Sequence, residues 1–443
     1  MDAGLIVSAV IFVGTYVAIL SNKMARSLAS LAGGVLMVLA GLYFGFYTEV
    51  AVVVDAIDWN TIGLLLGMMM LVGVLKDSGI FETMAIWVAK IAGSNYFRMI
   101  LLFGFLGAVL STTIDNVTTI LLVAPISMSI CSVLGVDPKP ILLAQALFSN
   151  IGGVATLIGD PPNIMISGAA GFSYLDFIYN LTPTVIISLI VTVIVFKIIF
   201  SQKTEEENDK VNQEALERIK SRRASEEIES ISLLRKSLFS LGLVIVLFVL
   251  HNIISITPAT VALTGAALLL VLTRPDMDEI LDRVEWTTIL FFAGLFVVVH
   301  GVVSTGLLEI IAEGVLHLTQ GHLLISTIAI LFLTTIGSGI VDNIPFTAAM
   351  IPVVATLSSQ LGSDSGILWW ALALGAGFGG NSTYIGSSAN LIVVKISESH
   401  EEPITLKYWF KYATVIALIT TLVAGALLGI QVATPVHIPL LPA

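Results

Sequence analysis

Long apolar stretches alternate with short polar segments along most of this chain. A stretch of about 20 apolar residues is long enough to cross a bilayer core of roughly 30 Å as a helix. The pattern predicts ten full spans, near residues 4–21, 28–47, 60–76, 140–170, 178–198, 237–251, 258–273, 287–303, 366–396 and 408–430. Segment 201–236 is rich in charged residues and poor in large apolar ones, so we expect a soluble linker that is partly helical at most.

The composition supports a membrane protein. Of the 443 residues, 56% are hydrophobic and only 12% are charged, too few charges to cover a soluble surface. The single cysteine, Cys131, excludes a disulfide framework and a thiolate cluster. The sequence shows no basic patch for nucleic acid, no phosphate-binding loop and no nucleophile–base or metal-ligand constellation. We therefore expect neither an enzyme nor a resident cofactor.

The chain also matches itself, without a gap, when shifted by 227 residues. The matched pairs include Trp59 with Trp286, Gly67 with Gly294, Asp115-Asn116 with Asp342-Asn343, Gly152-Gly153 with Gly379-Gly380, Thr156 with Thr383, Gly159 with Gly386 and Asn163 with Asn390. Residues that repeat in this way in a membrane protein usually line a substrate site between two related halves. The sequence predicts one repeat over residues 1–200 and a second over 237–443.

The basic residues predict the orientation in the membrane. With the linker on the cytoplasmic side, counting spans outward places all 20 Lys and Arg on that side. The predicted outer loops carry acids instead, namely Glu49, Asp55, Asp58, Glu309, Glu313 and Asp364. We therefore expect an inner-membrane protein with both termini outside.

Two stretches, 99–136 and 323–358, each begin and end on one side and carry polar residues in the middle. From Arg98 to Ser111 a helix would cover about 20 Å, which is short for a full span. This favours a re-entrant hairpin over the alternative, two complete helices with an external loop. Five spans and one hairpin per half give an odd number of crossings, so the halves insert with opposite orientations and their hairpin tips can meet near the midplane.

Four polar segments lie within these apolar surroundings: two hairpin tips, 111–119 and 338–347, and two Gly-rich breaks, 149–163 and 379–390. Broken helices present bare N–H groups and free carbonyls to a ligand, although Gly pairs also serve close helix packing. The residues predicted to contact substrate are Asn116, Thr118, Asn150, Gly153, Thr156, Asn163, Asn343, Asn381, Thr383 and Asn390. Because no Lys or Arg lies in these segments, a clamp of side-chain cations is disfavoured.

Three carboxylates are candidates for proton or cation coupling. Asp115 and Asp342 stand at matched positions in the two tips, where a carboxylate near the bilayer centre costs about 2.5–3.5 kcal/mol. The alternative is that each caps the second arm of its hairpin. Asp160 has no acidic counterpart, because position 387 is Ser, and it is either an asymmetric coupling group or a cap before Pro161.

These segments resemble a known family. Asp115-Asn116-Val117-Thr118-Thr119, Gly159-Asp160-Pro161-Pro162-Asn163 and Asp342-Asn343-Ile344-Pro345-Phe346-Thr347 are similar to the ion transporter superfamily, in its ArsB/NhaD/P-protein branch, and most to the P-protein-like permeases. The resemblance implies a scaffold domain and a transport domain that holds both hairpins and both broken helices. It also implies an elevator motion, a homodimer and, in some members, a soluble ATPase partner.

The same resemblance implies several substrates: arsenite or antimonite for export, Na⁺ in exchange for H⁺, or anions. Arsenite is mainly neutral As(OH)₃ at neutral pH, which suits a ring of Asn, Ser and Thr, and the single cysteine argues against thiolate binding. We therefore predict an arsenite efflux permease coupled to the proton gradient. The alternatives are a Na⁺/H⁺ antiporter and a P-protein-like anion or small-solute transporter. The paired, inverted breaks favour alternating access over a channel.

Overall fold

Helices are the only regular elements in the residues that the computed structural model describes, which are 3–21, 23–49, 51–221, 224–362, 366–400 and 403–434. Ten of these helices are long and apolar enough to cross a membrane. The first half of the chain forms the helices α1 (Ala3–Leu20), α2 (Arg26–Phe44), α3 (Ala51–Ala56), α4 (Trp59–Lys76), α5 (Ile80–Ala92), α6 (Tyr96–Ser111), α7 (Asn116–Leu134), α8 (Lys139–Gly153), α9 (Pro161–Ala170) and α10 (Tyr174–Ile199), of which α1, α2, α4, α7 and α10 are among those ten.

The second half repeats this order. Its helices are α13 (Ile231–Leu250), α14 (Pro258–Thr273), α15 (Met277–Asp282), α16 (Trp286–Ser304), α17 (Leu307–Thr319), α18 (Leu323–Val341), α19 (Asn343–Leu361), α20 (Gly366–Gly380), α21 (Ser388–Ser397) and α22 (Leu406–Ala433). The six helices α4 to α9 and the six helices α16 to α21 begin 227 residues apart, as Trp59 and Trp286 or Pro161 and Ser388 show. The gap-free sequence shift is therefore a repeat of structure.

The two predicted re-entrant hairpins are present. Hairpin A consists of α6 and α7, joined by residues 112–115, and hairpin B consists of α18 and α19, joined by Asp342 alone. Each tip contacts a gap inside a broken helix: break A, residues 154–160, separates α8 from α9, and break B, residues 381–387, separates α20 from α21. Three hairpin arms, α7, α18 and α19, are long enough to span a membrane, so helix length alone does not distinguish them from full spans.

Several of the remaining long helices pack against one another and support these elements. α2 packs on α16, and α4 packs on α14. A matched pair of glycines permits both approaches, since a Cβ at Gly67 would lie 2.6 Å from the carbonyl carbon of Ala262, and one at Gly294 would lie 2.5 Å from that of Ser30. We call α1, α2, α4, α13, α14 and α16 the support group, and α6–α9 with α18–α21 the site group.

The linker is more ordered than the sequence predicts. It forms α11 (Ser201–Lys210), α12 (Gln213–Ser221) and a 3₁₀ turn (Ala224–Glu227), and α13 begins at Ile231 rather than near residue 237. α13 starts early because the Ser230 hydroxyl caps it by accepting from the Leu233 N–H. The linker also binds the base of hairpin A, where Asn208 Oδ1 accepts from the Tyr96 N–H at 2.8 Å. We call the membrane side that carries these residues the linker side.

A buried acid anchors the linker there. Glu207 is 1% exposed and accepts from the Asp137 N–H at 2.8 Å. Lys210 and Lys203 pair with its carboxylate at 2.8 and 3.3 Å. Burial alone would raise the pKa of Glu207, but these hydrogen bonds and charges outweigh burial and lower the pKa below its ordinary value. The anchor is thus complete at neutral pH, and it is lost only as the pH falls through that lowered pKa.

We expect Glu207→Gln to loosen the linker. The amide keeps an acceptor for Asp137 but loses the attraction of Lys203 and Lys210, and hydrogen bonds to charged groups contribute about 1.5–3 kcal/mol each. Limited proteolysis of membranes at pH 7 should cleave the linker about tenfold faster than in the parent protein. Glu206→Gln, at an exposed position of the same helix, is the matched control. Equal cleavage of the Glu207→Gln variant and the parent would contradict the anchor.

Candidate functional site

Both hairpin tips meet at one carboxylate, that of Asp160 in break A. Asp160 is 1% exposed. The amide Nδ2 of Asn116, in the tip of hairpin A, donates to Asp160 Oδ1 at 3.3 Å. The amide Nδ2 of Asn343, in the tip of hairpin B, donates to both carboxylate oxygens at 3.2 Å. A single acidic side chain therefore accepts hydrogen bonds from the hairpin tips of both halves.

Asn150, near the end of α8, connects this carboxylate to break B. Its Nδ2 donates to Asn381 Oδ1 at 2.8 Å and to Asn390 Oδ1 at 2.9 Å. Its Oδ1 accepts from Asn116 Nδ2 at 3.0 Å and from the Ser387 hydroxyl at 3.1 Å. All of these side chains are buried. We call the resulting cluster the amide network; it consists of Asn116, Asn150, Asp160, Asn343, Asn381, Ser387 and Asn390.

Side-chain amides also occupy the carbonyls that the breaks expose. Asn163 Nδ2 donates to the carbonyls of Val154 and Thr156 at 3.0 and 2.8 Å. Its repeat partner Asn390 donates in the same way to the carbonyl of Gly380, at 2.8 Å. Irregular backbone at membrane depth has to be satisfied by protein or water, and here these amides do so.

Two matched threonines join each hairpin tip to its break. The Thr156 hydroxyl donates to the carbonyl of Thr112 in hairpin A at 2.6 Å. The Thr383 hydroxyl donates to the carbonyl of Gly339 in hairpin B, also at 2.6 Å. In this conformation both predicted contact residues therefore hold the tips in place.

Two further residues predicted to contact substrate, Thr118 and Gly153, stabilise the backbone next to the amide network in this conformation. Thr118 donates its N–H and its hydroxyl to the carboxylate of Asp115, at 2.9 and 2.7 Å. Gly153 ends α8 where a Cβ would lie 2.6 Å from the carbonyl oxygen of Gly159, so the fold of break A requires glycine there. Asp115 is thus the cap of α7, the alternative role that the sequence allows.

Asp342 has a different environment from Asp115, because a side-chain cation from outside the polar segments contacts it. Its Oδ1 accepts from the Ile344 N–H at 3.1 Å. Its Oδ2 receives Arg26 Nη1 at 2.5 Å and the Ser388 hydroxyl at 3.0 Å. The four polar segments themselves contain no Lys or Arg, but Arg26, the first residue of α2, brings a guanidinium to the tip of hairpin B from outside them.

Sequence reasoning misses two residues that contact hairpin B from the support group. In addition to Arg26, Tyr16 of α1 donates its hydroxyl to the carbonyl of Pro345 at 2.6 Å. In the sequence, Arg26 is one of the basic residues that set the topology, and Tyr16 lies within an apolar span. Neither feature indicates a contact with hairpin B. The internal repeat does not reveal Arg26 either. The matching region of the second half, around the start of α14, has no Lys or Arg between residues 237 and 273.

The electrostatic character of the site follows from these contacts. Asp160 is hydrogen-bonded by neutral amides, whereas Asp342 is paired with a guanidinium. A proton on Asp160 would therefore change the charge of the amide network without separating an ion pair. Within the described ranges, no group of three or more His, Cys, Asp or Glu could hold a metal ion.

Comparison with known proteins agrees with this architecture. The 46 kDa membrane protein of Mycobacterium leprae is 38% identical over 431 residues, which cover 96% of this chain and 98% of the relative. The human P protein is 33% identical over an alignment of 470 positions, gaps included. The alignment covers 89% of this chain and 56% of the P protein. The resemblance to P-protein-like permeases that the sequence motifs carry is therefore confirmed.

Solved structures and family models point the same way. The Alcanivorax borkumensis YdaH transporter, whose crystal structure was described as having an unusual topology, matches with a TM-score of 0.56 at 15% identity over 89% of each chain. That likeness shows the fold. The family model described as citrate transporter, CitMHS, matches residues 16–375. The prediction of a transporter rather than an enzyme is confirmed, and the chain belongs to the CitMHS citrate transporter family of membrane proteins.

Proposed function

We propose that the chain is a proton-coupled secondary transporter that exports arsenite and antimonite across the inner membrane. The observation that carries this proposal is the bonding of Asp160 to one amide from each hairpin tip. Gain or loss of a proton on Asp160 alters both contacts at once. A coupling residue needs this property, because its protonation has to favour one arrangement of the two halves over another.

The backbone carbonyls at the two breaks already accept hydrogen bonds from side-chain amides, which favours H⁺ over Na⁺ as the coupling ion. Hard cations such as Na⁺ are bound by several oxygen atoms that converge on one point. In breaks A and B the converging carbonyls already accept hydrogen bonds from Asn163 and Asn390. A cation would have to displace these amides, whereas a proton needs only one carboxylate oxygen of Asp160. Na⁺/H⁺ antiport is the alternative that the same experiment tests.

The amide network suits a small neutral solute with several hydroxyl groups. Amides donate and accept hydrogen bonds, so they can replace the water around As(OH)₃ without a charge. Binding of As(III) by a thiolate is not part of the proposal, because Cys131 is buried in α7, within the hydrophobic core that includes both arms of hairpin A. Asn116, Asn150 and Asn343 are the donors that we assign to the solute when the network opens.

A second candidate substrate is a small carboxylate anion. Arg26 is the observation that favours it, since a guanidinium binds carboxylates with paired hydrogen bonds. The family description, which names citrate, agrees with this chemistry. Such an anion would compete with Asp342 for Arg26, whereas As(OH)₃ would not.

We further propose that the linker faces the cytoplasm. Counting the predicted spans and hairpins of the sequence outward from the linker assigns all 20 Lys and Arg to the side of the linker, and cytoplasmic loops are enriched in these residues. Export then runs from the linker side to the opposite side, driven by protons that move inward.

Everted inner-membrane vesicles test the function. With an inside-acid pH gradient we expect the parent protein to accumulate arsenite, at least about tenfold above vesicles without it, and a protonophore should abolish the accumulation. Replacing Na⁺ by choline should have no effect. Citrate and Na⁺ are offered separately to vesicles loaded with a pH-sensitive dye. Na⁺-driven proton movement without arsenite accumulation would overturn the proposal in favour of antiport, and citrate-driven movement would favour the second candidate.

A further inference from the structure

We propose that Arg26 and Asp342 form a latch that fixes the tip of hairpin B to α2 in this conformation and that opens in each transport cycle. Arg26 belongs to the support group, and Asp342 belongs to the site group. The ion pair has an Nη1–Oδ2 distance of 2.5 Å, with side chains 24% and 1% exposed. This inference goes beyond the proposed substrate and coupling ion, because it concerns how the two groups of helices are held together.

The internal repeat explains why only hairpin B needs the latch. Asp115, the partner of Asp342, is satisfied within its own tip by the N–H and the hydroxyl of Thr118. The position of Thr118 is occupied in hairpin B by Pro345, which has no N–H and no hydroxyl. Asp342 therefore cannot form the same local cap. It retains one local bond, from the Ile344 N–H, and one carboxylate oxygen is left for partners from elsewhere.

Two more departures from the repeat supply those partners. Ser388 stands where the first half has Pro161, and its hydroxyl donates to Asp342 Oδ2. Arg26 begins α2, whereas α14 in the second half begins at Pro258 and has no basic residue near its start. Arg26 Nη1 also donates to the Ser388 hydroxyl at 3.2 Å. Three differences between the halves thus converge on a single carboxylate.

The backbone of the tip makes these contacts necessary. Asp342 has φ of 103°, a conformation that residues other than glycine rarely adopt, whereas Asp115 has φ of −55°. A strained residue persists only where its surroundings hold it. Besides the ion pair, the Tyr16 hydroxyl bonds the carbonyl of Pro345. The tip of hairpin B is therefore attached to the support group at two points, near the end of α1 and at the start of α2.

Alternating access requires one group of helices to move against the other around the site. An ion pair of this length cannot survive a displacement of several ångströms, so Arg26 and Asp342 each need a new partner in the opposite conformation. Since hairpin A has no equivalent pair in the described residues, the two end states differ in energy. The latch favours the conformation seen here.

Hydrogen–deuterium exchange of the full chain in nanodiscs, without any transported solute, tests the latch. Arg26→Gln should make amides of residues 341–347 exchange about tenfold faster, because the tip detaches more often. Arg26→Lys keeps the charge and should restore most of the protection. The matched control is Arg283→Gln, which removes the ion pair between Arg283, just after α15, and Asp77, just after α4, and should leave the tip unchanged.

Two results would overturn the latch. One is unchanged exchange of the tip in folded Arg26→Gln protein, judged by its size-exclusion profile; the other is an equal rise in Arg283→Gln. If Arg26→Gln does not fold, Asp342→Asn removes the other charge and carries the same expectation. Because the readout needs no substrate, failure of arsenite transport in vesicles leaves this test intact, and failure of the latch leaves the transport proposal intact.

Discussion

Replacement of Asp160 by Asn is expected to abolish proton-coupled transport while the protein still folds. The amide has nearly the shape of the carboxylate and can still accept from Asn116 and Asn343, but it cannot gain or lose a proton. The coupling between proton and solute then disappears. We expect arsenite accumulation under a pH gradient to fall about 100-fold, near the upper end of coupling free energies between two sites.

The measurement is solute accumulation in everted vesicles, with expression and thermal stability recorded for each variant. Asp160→Glu is the conservative control and should keep part of the activity with a shifted pH dependence. Ser387→Ala is the matched control from the second half, because Ser387 occupies the repeat position of Asp160 and gives only one hydrogen bond, to Asn150. Retention of pH-driven accumulation by Asp160→Asn would remove Asp160 from the coupling step.

The asymmetry between Asp160 and Ser387 permits a sharper variant. Exchanging the two residues, as Asp160→Ser with Ser387→Asp, moves the carboxylate to the matching position in break B. Asn150 bonds Ser387 and Asn116 bonds Asp160, so the relocated carboxylate would still lie in the amide network. If coupling requires one central acid, the exchanged protein should recover part of the transport that Asp160→Asn loses. No recovery would show that the acid has to lie in break A.

Much of the architecture can be predicted from the sequence, because it depends on local pattern. Apolar stretches give the spans, and the shift that pairs Asp115 with Asp342 gives the repeat. Polar residues in the middle of apolar segments give the tips and breaks, since irregular backbone inside a membrane has to be satisfied. The side-chain amides that join these segments, such as Asn116 and Asn343, are visible in the sequence as hydrogen-bonding groups in apolar surroundings.

The rest depends on contacts between distant elements, which no local pattern encodes. Arg26 reaches Asp342 across more than three hundred residues, and in the sequence it resembles any basic residue that flanks a span. Asp160 looks like a helix cap before a proline pair, yet its side chain accepts from both hairpin tips. In the sequence the linker resembles a solvated charged segment, although Glu207 is buried and pairs with the more exposed Lys203 and Lys210.

Replacement of Asn150 by Leu is expected to disrupt the site and destabilise the whole protein. Asn150 donates to Asn381 and Asn390 and accepts from Asn116 and Ser387, so an apolar side chain removes four buried hydrogen bonds. Asn116 keeps its bond to Asp160, whereas the other three groups lose the partner that Asn150 supplies. Hydrogen bonds between membrane helices contribute on average about 0.6 kcal/mol and at most about 1.7 kcal/mol each. Loss of all four should therefore lower the free energy of unfolding by about 3 kcal/mol.

This cost is larger than usual for one side chain because Asn150 joins the two halves rather than two turns of one helix. Thermal unfolding in detergent should shift down by about 5 °C or more, and arsenite accumulation should be lost. Asn180→Leu is the matched control, since Asn180 lies in α10 outside the amide network. It donates to the carbonyl of Asp176 in its own helix and accepts one long bond, of 3.4 Å, from Gln431. Stability close to the parent in Asn150→Leu would mean that the other contacts of the tips, among them the Thr156 and Thr383 hydroxyls, are sufficient to hold them. The amide network would then serve the solute and not the fold.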